Sequence, residues 1–278
     1  MTSTWGLVGA GDLPQTAGVD FASMMELEGH GPDTFVAQGP SYPWGGLYGG
    51  QIVAQALRAA AATVAPEFAP HSLHAYFIRR GDADEPIRLE VDRLRNGRSF
   101  VTRAVVARQS TGAILSMAAS FQVVEDAPDV QTVQVPAGLA GPDDVASESW
   151  SPMFDRRAHP DRPRGRSSAW LRMVDPIGDD PVLHACALAY LSDDMATDAV
   201  ATLHPEAASW HGEGWRSASL DHAIWFHRPS RADGWQLHEF GGERYHGSRG
   251  VSMGRVFTGD AHVATIAQEV LLRRTGGG

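Results

Sequence analysis

The basic side chains of this sequence are all arginines, because none of its 278 residues is a lysine. A Walker-type phosphate loop needs a lysine to contact the β- and γ-phosphates, and Schiff-base chemistry needs a lysine amine. The sequence therefore excludes both kinds of site. The groups that remain for chemistry are carboxylates, hydroxyls, histidines and one thiol.

The histidines and the single cysteine do not form a recognisable metal or thiol site. His71 and His74 are three residues apart in a strand-like segment, so they point to opposite faces. Cys186 lies within an apolar helical run, which predicts a small core side chain rather than a reactive thiol. No Cys/His cluster has zinc-ligand spacing, and we expect neither a metal nor another cofactor.

The charge and the cysteine content restrict the partners and the compartment. A formal net charge of -10 argues against nucleic acid as a partner, since binding to phosphates needs a basic surface. The sequence starts without a basic, apolar signal segment, and no apolar stretch approaches the roughly 18 residues of a membrane span. One unpaired cysteine is typical of a reducing compartment, so we predict a cytoplasmic protein without a membrane span.

Short sequence pairs recur at a nearly constant offset along the chain. They are Ser72-Leu73 with Ser219-Leu220, Thr111-Gly112 with Thr258-Gly259 and, with one inserted residue, His74-Ala75 with His222-Ala223. The first two pairs share an offset of 147 positions. A shared offset indicates an internal repeat, so the chain is predicted to be one small fold made twice.

Each half of the repeat is predicted to be a helix followed by strands. Gly49 to Val64 has apolar residues at helical spacing and small side chains that allow close approach to a sheet. Asp179, Asp180 and Pro181 are typical of a helix start, and Val182 to Leu191 continues as an apolar helix. Other segments alternate with a two-residue period or read as strands. These are residues 87–92, 115–123, 169–174, 218–227, 235–240, 250–257 and 262–273.

Between the two halves lies a segment, residues 125–168, that is rich in Pro, Asp, Gly, Ser and Arg. It has no sustained periodicity, and we interpret it as a connector. The predicted organisation is an N-terminal half over residues 1–124, this connector, and a C-terminal half over residues 169–278. Because so long a loop is uncommon in a compact protein, we expect it to run over the surface or to be mobile.

Eight sequence blocks, given in their order along the chain, are informative about the family: YGGQIVAQAL, HSLHAYFIRRGD, RNGRSFVTRAVVARQ, SMAASFQ, LHACALAYLSDDM, SLDHAIWFHRP, SRGVSMGRVF and VATIAQEVLLR. In these blocks the sequence resembles the type II acyl-CoA thioesterase family over nearly its whole length. The resemblance implies an α+β fold, the double hotdog, in which two repeats each wrap an antiparallel sheet around a central helix. It also implies hydrolysis of fatty acyl-CoA to free acid and CoA, without a metal or a covalent acyl-enzyme.

The resemblance further implies which residues hold the attacking water. By position, the family's Asp falls on Asp193, its hydroxyl on Ser219 and its Gln on Gln268. Family members often have threonine at the position of Ser219, and either hydroxyl accepts and donates a hydrogen bond. These residue types suit the chemistry, because a carboxylate must take a proton from the water while the other two groups orient it.

The first half lacks an equivalent set of residues. At the positions that match Ser219 and Gln268 it has Ser72 and Ser120, and its helix contains no carboxylate. We therefore predict one catalytic site per chain, built mainly by the C-terminal half.

Other residues are candidates for contacts with the substrate. Gly49 and Gly50 begin the first helix, where backbone N–H groups are placed to stabilise an oxyanion. His74 is a further substrate-binding candidate. The aromatic candidates for an acyl tunnel are Tyr48, Trp44, Trp225 and Phe226. The arginines of IRRGD and RLRNGR are candidates for the CoA phosphates, although arginines at hairpin ends are more often solvated.

Two other functions remain open. Hotdog enoyl-CoA hydratases use an Asp and a His five positions apart at a helix start, and Asp179 to His184 reads DDPVLH here. The simpler reading is that Asp179 and Asp180 cap the helix. A non-catalytic acyl-CoA-binding protein is the second alternative, supported only by Ser219 in place of threonine. Because exposed sheet edges tend to be covered, we also expect a homo-oligomer, either a dimer or a tetramer.

Overall fold

The structure is a computed structural model that describes residues 20–42, 44–160, 163–206 and 214–275. Its helices are α1 Phe21–Met24, α2 Gly49–Ala61, α3 Pro181–Ser192 and α4 Ala196–Ala201. Its strands in the N-terminal half are β1 Glu28–Gly29, β2 Thr34–Ala37, β3 Phe68–Phe77, β4 Ile87–Asn96, β5 Phe100–Gln109 and β6 Gly112–Val123. Its remaining strands are β7 Phe154–Ala158, β8 Arg166–Met173, β9 Trp215–Ser219, β10 Asp221–Phe226, β11 Gln236–His246, β12 Arg249–Thr258 and β13 Ala261–Arg274.

The strands form one antiparallel sheet in two halves. Its order is β1-β2-β4-β5-β6-β3-β10-β13-β12-β11-β8-β7, and β9 pairs with β13. The halves meet where β3 pairs with β10, and there His74 lies opposite Ala223 while Ala75 lies opposite His222. The repeated dipeptides thus face each other at the centre of the sheet. This arrangement confirms the duplicated fold predicted from the repeat and the double hotdog implied by the family resemblance.

The recurring Thr-Gly pairs occupy equivalent turns in the two halves. Gly112 follows the β5–β6 turn with φ 109°, and Gly259 lies in the β12–β13 turn with φ 60°. A left-handed backbone of this kind costs a side-chain-bearing residue free energy that glycine does not pay. The common offset of 147 positions therefore reflects two copies of one hairpin.

The two long helices pack against each other inside the sheet. Helix α2 is buried from Gly50 through Leu57, as its small side chains predict. Helix α3 is buried over most of its length and begins with Asp180, whose carboxylate accepts a hydrogen bond from the Val182 N–H at 2.9 Å. A Cβ on Gly50 would lie 2.2 Å from the Tyr190 carbonyl oxygen, so only glycine permits this approach of α2 to α3.

The connector of residues 125–168 contains more regular structure than its composition predicts. Strand β7, at residues 154–158, pairs with β8, which begins at residue 166 and pairs in turn with β11. The second half of the sheet therefore begins before the predicted boundary at residue 169. A short 3-10 helix, Pro142–Asp144, also lies within the connector. No helix within the described ranges is long and apolar enough to span a membrane.

Candidate active site

The side chains of Asp193, Ser219 and Gln268 come from separate parts of the second half and are hydrogen-bonded to one another. Asp193 directly follows α3 and is buried, with 8% of its surface exposed. Its Oδ1 accepts hydrogen bonds from Ser219 Oγ and from Gln268 Nε2, both at 2.8 Å, and its Oδ2 accepts one from the Gly50 N–H at 3.0 Å. The structure thus brings together the three residues that the family resemblance singles out, and it adds the start of α2.

Burial changes the proton affinity of the Asp193 carboxylate. Loss of solvent raises its pKa to about 6, although the hydrogen bonds from Ser219, Gln268 and the Gly50 N–H act in the opposite direction. A base whose pKa lies near the working pH is ionised at neutral pH and yet still takes up a proton readily. The arrangement therefore suits Asp193 to general base catalysis.

The two glycines at the start of α2 allow the helix to approach Asp193. A Cβ on Gly49 would lie 2.6 Å from Asp193 Oδ2, which is closer than a real Cβ contact. The N–H of Gly50 is already bound to Asp193, so it is not a free donor for an oxyanion, in contrast to the prediction for the pair. The Gly49 N–H is in the first helical turn, where amides have no acceptor within the helix, and it remains the candidate donor.

Tyr48 lies beside the site, within a cluster of aromatic rings. Its hydroxyl donates to the Tyr190 carbonyl oxygen at 3.0 Å, and its ring packs edge-on against Tyr190 and Trp150, with centroids 5.0 Å apart in each case. The rings in contact through this cluster are those of Tyr42, Trp44, Tyr48, Trp150, Phe154 and Tyr190. Tyr48 directly precedes Gly49, and its contact with an acyl chain stays a prediction.

His74 and Trp225 do not lie at the site. The neighbours of His74 on β3, Leu73 and Ala75, are buried against the helices, so His74 points to the outer face of the sheet. There its ring packs edge-on against Trp225, at 5.1 Å between centroids. Strand alternation therefore turns the His74 side chain away from Asp193, and its role in binding the substrate stays a prediction.

The hairpin arginines mostly contact the protein itself. Arg79 Nη1 donates to the Ala113 carbonyl oxygen at 2.8 Å, and Arg93 forms two hydrogen bonds of 2.8 Å with the Asp33 carboxylate. These contacts hold the ends of β3 and β4. They do not indicate a phosphate site.

The segment predicted as a single strand over residues 218–227 is two strands. Ser219 on β9 pairs with Val270, whereas Ala223 on β10 pairs with Ala267. From Ser219 to Ala223 the chain advances by four residues, whereas β13 advances by three from Val270 to Ala267. One residue is therefore extra on the first side, which is the pattern of a β-bulge. The extra residue lies where Asp221 begins β10, and it corresponds to the single insertion in the repeat.

The bulge places His222 in the site, where sequence reasoning did not put it. Simple alternation predicts that His222 and Ser219 face opposite ways, but both are within hydrogen-bond distance of Gln268. His222 Nδ1 lies 2.6 Å from Gln268 Oε1, and His222 Nε2 lies 2.8 Å from Ser192 Oγ. In the sequence, the one sign of this bulge is the residue inserted between the matching dipeptides.

In the first half, the positions equivalent to the Asp193 site hold other residues with other contacts. Ser72 pairs with Ser120, whose Oγ lies 2.8 Å from His71 Nε2. The start of α3, which corresponds to the start of α2 at the site, is capped by its own Asp180, and Asp180 also pairs with Arg58 at 3.0 Å.

The hydratase alternative at Asp179 and His184 is overturned by the contacts of both residues. His184 Nδ1 accepts from the Ala232 N–H at 3.2 Å, so Nε2 donates to the Gly178 carbonyl oxygen at 2.9 Å. Both ring nitrogens are therefore used by the backbone. Asp179 is exposed and pairs with Arg231 at 2.7 Å.

Two other side chains of nucleophilic type, Ser252 and Cys186, have structural positions. The sequence contains a G-x-S-x-G match at Gly250 to Gly254, but Ser252 lies in the middle of β12, paired with Gln268, and not at a strand-to-helix turn. Cys186 is fully buried in α3, and burial raises the pKa of its thiol to about 12. It is a core side chain, as its sequence context predicts.

Comparisons with known proteins agree with the fold. The acyl-CoA thioesterase N-terminal domain model matches residues 39–122, and the C-terminal domain model matches residues 125–272. Acyl-CoA thioesterase 2 of Haemophilus influenzae is 32% identical over 255 residues, which cover 82% of this chain and 87% of that protein. Human acyl-coenzyme A thioesterase 8 is 32% identical over 284 residues, which cover 90% and 88%.

Solved structures give the same result. An acyl-CoA thioesterase II, TesB2, from Mycobacterium marinum matches with a TM-score of 0.78 and 35% identity, covering 93% of this chain and 98% of that one. A hot dog fold protein from Alicyclobacillus acidocaldarius, at 18% identity, shares the fold with a TM-score of 0.74. Fold and site together define a double hotdog protein with a buried carboxylate centre. The chain belongs to the acyl-CoA thioesterase family.

Proposed function

We propose that this chain hydrolyses fatty acyl-CoA to free fatty acid and CoA, with Asp193 as the general base that activates water. The observation that carries the proposal is the buried Asp193 carboxylate, with a pKa of about 6 and with Ser219 and Gln268 bound to the same oxygen at 2.8 Å. Membership in the acyl-CoA thioesterase family supports the thioester as the bond that is cleaved.

The reaction follows from the roles of these groups. A water oxygen attacks the thioester carbonyl carbon while Asp193 takes the proton of the water. Ser219 and Gln268 orient the water, so that less entropy is lost at the moment of attack. The carbonyl oxygen becomes an oxyanion, which the helix start at Gly49 stabilises. When the carbon–sulfur bond breaks, the CoA thiolate leaves with the electron pair. It then takes the proton that Asp193 removed from the water.

Direct attack by water is favoured over a covalent serine intermediate. Ser219 donates its proton to Asp193, and the nearest imidazole, His222, has its two nitrogens next to Gln268 and Ser192. Among the residues that the structure describes, no imidazole is therefore within reach as the base that would activate Ser219 in a serine hydrolase. We propose one such site per chain, because the first half supplies no carboxylate at the equivalent helix.

The compartment and the assembly are finer proposals. The single cysteine is buried and unpaired, which supports a reducing, cytoplasmic location for fatty acid metabolism. The sheet ends at the edge strands β1 and β7, and the tendency of such edges to be covered supports a homo-oligomer, a dimer or tetramer. Cell fractionation tests the first proposal, and analytical ultracentrifugation tests the second.

The function is tested by supplying a saturated acyl-CoA and crotonyl-CoA side by side to the purified chain. Release of free thiol from the saturated substrate, at a rate proportional to the protein added, is expected. An Asp193→Asn preparation from the same purification controls for contaminating thioesterases. Hydration of crotonyl-CoA without release of thiol, or tight binding of acyl-CoA without turnover, would overturn the proposal.

A further inference from the structure

His222 is a buried polar residue that the proposed reaction does not use. Only 1% of its surface is exposed. Its Nδ1 lies 2.6 Å from Gln268 Oε1 and its Nε2 lies 2.8 Å from Ser192 Oγ. Each ring nitrogen thus has one side-chain partner, and one of these partners is bound to Asp193.

The amide of Gln268 has one orientation that suits its neighbours. Its Nε2 donates to Asp193 Oδ1 and to Ser219 Oγ, both at 2.8 Å. The reversed amide would place Oε1 against the carboxylate, and two oxygens with no hydrogen between them repel. The oxygen of Gln268 therefore faces His222, and an amide oxygen accepts hydrogen bonds but cannot donate one.

The proton of the imidazole must then lie on Nδ1. Burial lowers the pKa of His222 to about 4, so the ring is neutral near pH 7 and carries one proton. With that proton donated from Nδ1 to Gln268, Nε2 is left as an acceptor. The Ser192 hydroxyl lies 3.0 Å from the Ala189 carbonyl oxygen and 2.8 Å from Nε2, and with this tautomer its one hydrogen turns to Nε2. Ser192 is the last residue of α3 and directly precedes Asp193.

We propose that His222, as its Nδ1–H tautomer, is a positioning residue that holds the Gln268 amide with Nε2 toward Asp193 and Ser219. It acts through Gln268 and does not touch the reacting atoms. Without it, the amide oxygen loses its donor and the amide is held from one side alone, so the geometry that orients the water is less well fixed. Because the effect is on the reacting geometry, it lowers kcat more than it changes KM. This inference rests on the proposed thioesterase function.

Three substitutions test the role of the Nδ1–H group. His222→Leu removes the donor at similar volume, and it should lower kcat by about 10- to 100-fold while KM changes by less than about threefold. His222→Asn keeps an N–H near the Nδ1 position, and its kcat should recover to within about fivefold of the wild type. His71→Leu removes a half-buried histidine that contacts Ser120 in the first half, and it should match the wild type. A wild-type kcat in His222→Leu, or no recovery in His222→Asn, would overturn the proposal.

A double-mutant cycle tests whether His222 acts through Gln268. In a Gln268→Ala background, the added His222→Leu change should lower kcat by less than about twofold, because the amide that it positions is gone. An undiminished effect in that background would show that His222 acts independently and would refute the proposal.

The tautomer is measured directly on the unmodified protein by ¹⁵N NMR of the imidazole. We expect a protonated Nδ1 and an unprotonated Nε2 for His222, and the opposite tautomer would overturn the inference. This measurement depends neither on the folding of a variant nor on turnover. A wild-type protein that releases no CoA would therefore refute the proposed function, whereas an active wild type with the opposite tautomer would refute the role of His222 alone.

Discussion

Replacing Asp193 by asparagine should change how the stability of the protein depends on pH. Burial raises the pKa of Asp193 from 3.8 to about 6 in the folded protein, whereas an aspartate in the unfolded chain titrates near 3.9. Between about pH 4 and pH 6 the folded state therefore holds a proton that the unfolded state has lost, and stability falls as the pH rises. At about 1.36 kcal/mol for each pKa unit, the loss amounts to about 3 kcal/mol.

Urea unfolding of the wild type and of Asp193→Asn from pH 4 to pH 8 measures this effect. The asparagine also alters hydrogen bonds, but that change adds a constant to the difference between the two free energies of unfolding. The dependence of the difference on pH therefore isolates the titration of Asp193. The variant should gain about 2 kcal/mol relative to the wild type between pH 4 and pH 7, because part of the total change already occurs below pH 4. Asp179→Asn, at an exposed position, is the matched control, and its difference should stay within about 1 kcal/mol.

Parallel curves for the wild type and Asp193→Asn would refute this reasoning. A wild type that gains stability over the variant as the pH rises would also refute it. In the first case the hydrogen bonds from Ser219, Gln268 and the Gly50 N–H would balance the effect of burial on the pKa, and in the second they would outweigh it. The carboxylate would then be a weak base at the pH where the enzyme works.

Substitutions at three further positions test the surroundings of the site. Ser219→Ala should lower kcat by about 10- to 100-fold, while Ser219→Thr should retain turnover; equal rates for both in a thiol-release assay would exclude the hydroxyl. Gly50→Ala should cost about 1–3 kcal/mol, because its Cβ would lie 2.2 Å from the Tyr190 carbonyl oxygen; an unchanged melting temperature would contradict this contact. Arg156→Met should cost about 3–5 kcal/mol, since it removes the 2.7 Å ion pair of the buried Asp194; a loss under about 1 kcal/mol in urea unfolding would show that the pair is not needed.

The features that the sequence predicts well are those that depend on local contacts. Asp180 and Pro181 mark the start of α3 because a side-chain cap and a proline act within one helical turn. The Thr-Gly pairs mark two hairpins because a positive φ is a property of the turn itself. Helix α2 ends at Ala61, three residues before the predicted end at Val64. The sequence directly after Ala61 has no capping residue or proline that would mark the end of the helix.

Other features depend on partners that are distant in the chain. The sequence does not predict strand β7, because Arg156 occupies one of its inward positions. There the charge of Arg156 is matched by Asp194 and Asp198, and an arginine at a core position breaks the alternation of apolar and polar residues that indicates a strand. Strand alternation predicts the wrong face for His222, because the bulge at Asp221 arises from pairing with β13. The three residues around Asp193 were selected by resemblance, since no local pattern distinguishes Ser219 or Gln268 from other strand residues.

Release of CoA by Asp193→Asn tests the central claim most directly. The substitution is nearly isosteric and removes the base, so turnover of a saturated acyl-CoA should fall by about 100- to 10,000-fold. Binding of the same acyl-CoA, measured by titration calorimetry under conditions of negligible turnover, should be retained. Turnover within about tenfold of the wild type would show that the Asp193 carboxylate does not take the proton from the attacking water.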